Sequence, residues 1–173
     1  MDLHIVLHEP EIPQNTGSIG RTCMAVGATL HLIRPLGFVI DDAKLKRAGL
    51  DYWHELDVEI HDDWPAFLEA HPDARPWFFT TKADRRHDEA VYGKKAYLVF
   101  GRETAGLPDH LLRGTPERLL RIPIVSRARS LNISVAVGIA AFEALRQDGF
   151  AGLSSEDPDG RLQAEADGTP AHP

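Results

Sequence analysis

Three polar stretches bring together residue types that could bind or transform a ligand. The first, residues 9–27 (EPEIPQNTGSIGRTCMAVG), has Pro10 and Pro13 to stop a preceding strand and Asn15-Thr16 to open a helix, with Arg21 six residues past Asn15. A cation there, within the first two turns, is expected to face the crevice at the strand ends and hold an anionic group. The second, residues 98–108 (LVFGRETAGLP), runs a buried strand ending at Phe100 into Gly101, with Glu103 on the turn and Gly106 and Pro108 ending it. Glycines there let a ligand come close to the backbone. In the third, residues 121–137 (RIPIVSRARSLNISVAV), Ser130, Asn132 and Ser134 stand at the start of a helix, so hydroxyls, an amide and free backbone N–H groups meet in one place. Read in isolation, each also admits a structural role: Asn15 or Asn132 as a helix cap, Arg21 as the partner of a carboxylate, Glu103 as a solvated charge on a glycine-rich connection.

The elements that must position these groups follow from the hydrophobic pattern. Strand character recurs at 3–7, 29–33, 57–61, 76–80, 96–100 and 119–125. Helices alternate with the strands at about 15–26, at 62–70 with Asp62 and Asp63 as cap candidates, and at 132–147 with Asn132 as cap. This alternation predicts an α/β fold, a mostly parallel sheet flanked by helices, and in such sheets ligands bind beyond the carboxyl ends of the strands. The helix at 132–147 is apolar almost all round, which predicts burial on more than one side, inside the domain or against a second subunit. Residues 1–150 read as a single domain. Residues 151–173 lack periodicity and read as an acidic, disordered tail.

Composition narrows the function classes. The chain has 173 residues, 43% hydrophobic and 26% charged, with no apolar run long enough to cross a bilayer and no secretory leader at MDLHIVLHEP. Cys23, the lone cysteine, cannot form an internal disulfide and reads as a small core residue of a cytoplasmic protein. The formal charge of −7 argues against indiscriminate nucleic-acid binding. The tail, with five acids against Arg161, carries −4 of it and leaves −3 for the body. Local clusters remain as candidate RNA contacts: Lys44, Lys46 and Arg47, then Arg85 with Arg86, then Arg127 and Arg129. There is no G-x-x-x-x-G-K-[ST] loop, no G-x-G-x-x-G after the first strand and no G-x-S-x-G elbow. His4 and His8 have a four-residue spacing but lie on and just past a strand rather than on a helix, so no metal site is expected.

In order and spacing, the three stretches resemble the signature motifs of the SpoU branch of the SPOUT RNA methyltransferases. The likeness spans roughly residues 3–150 and is greatest to the minimal TrmL-like tRNA (cytidine/uridine-34) 2′-O-methyltransferases, which GFVIDDAKLKRAGLDYW at 37–53 and FTTK at 79–82 also resemble. The resemblance implies an α/β fold with a deep C-terminal trefoil knot, a homodimer, and S-adenosylmethionine as cofactor. It further implies methylation of the ribose 2′-hydroxyl of the wobble nucleotide of tRNA, with leucine tRNA the expected substrate. By position, the cofactor would sit among Phe79, Thr80, Gly101, Ile122, Ile124, Ser130, Leu131 and Asn132. Asn15, Arg21, Glu103, Ser130 and Asn132 match the family's catalytic and signature polar positions. Val135 departs from it, standing where some close relatives carry a second Asn. Methylation of a base nitrogen, or of another tRNA or rRNA position, and a non-catalytic RNA-binding role on the same fold are the rival expectations.

Overall fold

A computed structural model describes residues 1–39 and 55–155. Six strands, β1 (Asp2–His8), β2 (Thr29–Ile33), β3 (Val58–His61), β4 (Trp77–Phe79), β5 (Lys95–Phe100) and β6 (Leu119–Leu120), form one sheet in the order β3-β2-β1-β5-β4-β6. Every pairing in it is parallel. Among the described residues, four α-helices accompany it: α1 (Pro13–Val26), α2 (Trp64–Ala70), α3 (Asp109–Arg113) and α4 (Ile133–Gln147). The α/β architecture is therefore as expected.

Side chains alternate across a strand, so β1 sends Leu3, Ile5 and Leu7 to one face and His4, Val6 and His8 to the other. On the first face, Leu30, Leu32, Leu98 and Phe100 join the leucines. Ile19, Cys23 and Val26 of α1 and Val137, Ala140, Ala141, Ala144 and Leu145 of α4 cover them. On the second face, Val6, Ile33, Tyr97 and Val99 pack with Phe67 of α2, Phe78, Leu111 and Leu112. Burial pushes the Cys23 thiol up to about 12, which suits a core side chain rather than a nucleophile.

Several boundaries differ from the sequence pattern for identifiable reasons. The last strand pairs only at Leu119–Leu120, not over 119–125. Arg121 still bridges to Arg86, but Pro123 has no N–H to donate, and Ile122 and Ile124 turn away to line a cavity. The first helix opens at Pro13 rather than at Asn15, with Pro at a position whose N–H would be unpaired anyway. Asp63, and not Asp62, caps α2 by accepting from Ala66 N at 2.8 Å. His8 ends β1 rather than following it.

α4 departs more informatively. Its small residues pack inward, but Val135, Ile139 and Phe142 remain 51%, 38% and 50% exposed. Within one chain it is buried on one side only. Leu153 still packs against the core, whereas most of the expected tail, from residue 156 on, lies outside the described residues. Among the described residues, no helix is long and apolar enough to cross a membrane.

Candidate active site

The three stretches that carry chemistry meet at the carboxyl ends of the central strands. β1 leads into 9–12 and α1, and β5 leads into the 101–107 loop. From the sheet edge at β6, residues 121–132 return toward α4, which packs against α1, β5 and β1. A cavity of about 520 Å³ opens between them, within the range usual for small-molecule sites.

A continuous hydrogen-bonded relay links one stretch to the next. The Glu103 carboxylate accepts from Glu11 N at 2.9 Å, Ile12 N at 3.3 Å and Asn15 Nδ2 at 3.0 Å. Asn15 Oδ1 in turn accepts from Asn132 Nδ2 at 3.0 Å. Asn132 Oδ1 accepts from Ser134 N at 2.9 Å and Ser134 Oγ at 2.6 Å, capping α4. A second clamp runs the other way, with Thr104 N and Thr104 Oγ1 donating to the Glu11 carboxylate at 2.8–3.0 Å. Glu103 is thus neither solvated nor open: it sits at the start of α1, where a negative charge is favoured by the helix dipole. Asn15, one turn inside that helix, joins two loops instead of capping it.

The backbone of the second stretch is held just as tightly. Arg102 and Gly106 exchange backbone hydrogen bonds at 3.2 and 2.9 Å. A Cβ on Gly101 would come within 2.2 Å of the Gly106 and Leu107 backbone, so only glycine fits there. Gly106 also borders the cavity, with left-handed backbone (φ 69°) and open space where a Cβ would stand. At the foot of this loop, Arg102 pairs with Glu9, itself at a positive φ of 54°.

Phe79, Thr80, Gly101, Ile122, Ile124, Ser130, Leu131 and Asn132 all line the cavity, together with Asn15, Glu103 and Arg129. Phe79 stacks on Phe100 at 4.7 Å between ring centroids, making a flat apolar wall. Arg21 is not among the lining residues. It stands on an exposed position of α1, because six residues carry it about 240° around the helix from Asn15. The expectation that it faces the crevice of its own chain is therefore corrected. Arg127 is exposed outside the cavity, and Lys44, Lys46 and Arg47 lie outside the described residues. The Glu11 clamp was not foreseen. Its signal was only that Glu11 stands beside the helix start in the first stretch.

The SpoU rRNA Methylase family matches residues 2–142. A tRNA (cytidine(34)-2′-O)-methyltransferase of Escherichia coli (strain K12) is 47% identical over 156 residues, 90% of this chain and 99% of its own length. A solved structure described as giving structural insights into the 2-OH methylation of C/U34 on tRNA is 50% identical. It has a TM-score of 0.80, with 86% of this chain and 97% of that one covered. An AdoMet-bound rRNA methyltransferase from Sinorhizobium meliloti is 28% identical with a TM-score of 0.73, over 84% of this chain and 56% of that one.

Proposed function

The chain belongs to the SpoU methylase family, and from that premise we propose that it uses S-adenosylmethionine to methylate the ribose 2′-hydroxyl of C or U at the wobble position of tRNA. The observation that carries the reading is the Glu103–Asn15–Asn132 relay, which locks three sequence stretches around one cavity at the strand ends. Leucine tRNA is the isoacceptor we expect, and the cytoplasm the compartment.

The cavity fits the cofactor. Phe79, Ile122, Ile124 and Leu131 offer apolar walls for a purine. Thr80, Ser130 and the bare backbone at Gly106 offer polar groups for a ribose and an amino-acid end. When bound, the cofactor supplies a methyl group on a sulfonium, an electrophile for an oxygen nucleophile. The chain's own contribution is to orient the ribose hydroxyl and stabilise charge as its proton leaves. Glu103, Asn15 and Asn132 act as positioning residues, because their polar atoms are engaged with one another and with backbone. Ser130, which lines the cavity outside the relay, is the candidate for direct contact with substrate or cofactor.

Arg21 takes the anionic part of the task. Guanidinium groups keep their proton in proteins, so its role is to grip a phosphate and stabilise the developing alkoxide, not to act as a base. That role requires a second copy of the chain. Val135, Ile139 and Phe142 follow i, i+4, i+7 spacing and form an exposed apolar stripe on α4, which packs beside α1. In this reading the stripe is the homodimer face, and dimerisation carries Arg21 toward the partner's cavity. Lys44, Lys46, Arg47, Arg127 and Arg129 would supply phosphate contacts.

Two further inferences belong to this reading. Residues 1–150 form the methyltransferase unit and 151–173 an acidic appendage. The chain is also knotted: it leaves the sheet at its β6 edge and returns to the centre as α4 past the 101–107 loop. Pulling the ends apart in an optical trap should stop short of the full contour length; reaching it would exclude a knot. The function itself is tested with a tRNA transcript carrying a 2′-deoxy nucleotide at the wobble position. It should accept no labelled methyl while the all-ribose transcript does, and equal labelling of both would refute the assignment.

A further inference from the structure

On the face of the sheet turned away from the cavity, four potential ligand atoms converge beneath α2. His31 of β2 is 0% exposed at a strand position where an apolar side chain would be the default. In register beside it stands Glu59 of β3, and two residues on, on the same face, His61. His71, the residue closing α2, completes the group. His31 Nδ1 and His61 Nε2 are 3.1 Å apart, and His71 Nε2 and Glu59 Oε2 are 3.0 Å apart. Glu59 Oε2 also lies 3.7 Å from His31 Nδ1 and 3.8 Å from His61 Nε2, and all four atoms fall within 4.8 Å of one another. A tetrahedral ion with zinc-like bond lengths needs ligand atoms about 3.3–3.5 Å apart, and the observed separations bracket that range.

The surroundings orient the ligands as metal sites require. Asp2 Oδ1 is 3.1 Å from His4 Nε2, and His4 Nδ1 is 2.9 Å from His31 Nε2. With His31 protonated at Nε2 and donating to His4 Nδ1, the lone pair of His31 Nδ1 is aimed into the cluster. His71 is anchored from behind, its Nδ1 3.4 Å from the Tyr97 hydroxyl. Carboxylate or hydroxyl partners behind ligating histidines are the usual outer support of such sites.

We propose that His31, Glu59, His61 and His71 form a structural site for one divalent transition-metal ion, with Zn2+ the best match to three imidazoles and a carboxylate. Four protein ligands close the coordination shell, which marks a structural rather than a catalytic site. The ion ties the β2–β3 edge to the end of α2 and takes no part in methyl transfer.

The test uses the untagged full chain, stripped with a chelator and titrated with Co2+ and Zn2+. Expected are one equivalent bound per chain, the visible absorption of tetrahedral Co2+, and a Tm roughly 5–10 °C higher at a hundredfold excess of Zn2+ over Kd. His71→Ala and Glu59→Gln, both at partly exposed positions, should keep the fold by circular dichroism and bind at least about 100-fold more weakly. Absence of tetrahedral bands and of any Tm shift would leave a hydrogen-bonded histidine cluster only, and overturn the proposal. So would undiminished binding by both variants, which would place the ion elsewhere.

Discussion

Arg21 occupies an exposed turn of α1 outside its own chain's cavity, so its proposed part in catalysis depends on fork geometry and on what a second copy brings. Lysine keeps the charge but loses the planar, bidentate donor set. Arg21→Lys should therefore lower kcat about 100-fold, the scale of losing a preorganised donor to a developing oxyanion, with cofactor affinity unchanged by calorimetry. Near-normal turnover would remove the fork from the mechanism. Asn132 answers a different question, since it both caps α4 and holds Asn15. Asn132→Ala should cost about 1 kcal/mol in a denaturant titration for the cap and also reduce methylation. An Asn132→Ser variant, which can still cap but cannot reach across, should regain stability without regaining activity. At this scale the sequence showed which residues matter more clearly than what they do. Asn15, Glu103 and Asn132 were legible as polar residues at element ends. Their mutual bonds join residues 88 and 117 positions apart, and only the folded sheet makes those neighbours.

Elements with strong periodicity were legible nearly to the residue: β1, β2, β5 and the helix from Ile133 to Gln147. The weak points were the ends governed by proline. Pro13 begins α1 two residues ahead of the expected asparagine, and Pro123 cuts the last strand to Leu119–Leu120. The histidine cluster was illegible for another reason. His31, Glu59, His61 and His71 come from two strands and a helix end, and their convergence depends on strand register rather than on any local spacing. α4 gave a mixed result, because its all-round apolar composition was plain while the side that stays open was not. Its exposed stripe leads to a direct prediction. Phe142→Glu would bury an unpaired charge in the proposed dimer face, so sedimentation should show a dimer for the parent chain and a monomer for the variant. tRNA methylation should fall by at least about tenfold. A variant that remains dimeric would move the interface elsewhere.

For the whole molecule, an acidic chain must hold a polyanion, and the uneven charge distribution is what permits it. With −4 of the formal −7 beyond residue 150, basic clusters in the body can act locally at separations within a Debye length of about 8–10 Å. Replacing Lys44, Lys46 and Arg47 together by Gln should weaken tRNA binding and reduce the slope of log affinity against log salt by about 2–3, while cofactor affinity stays the same. An unchanged slope would exclude the cluster from the RNA interface. The central claim concerns a single oxygen on a single nucleotide, and one measurement addresses it directly. The pure protein is incubated with methyl-labelled S-adenosylmethionine and unmodified tRNA, and the RNA is then digested and mapped by nucleoside and fragment mass spectrometry. One 2′-O-methylated pyrimidine is expected, in the fragment that contains the wobble position. A methylated base, or a ribose methyl mapped to any other position, would contradict it.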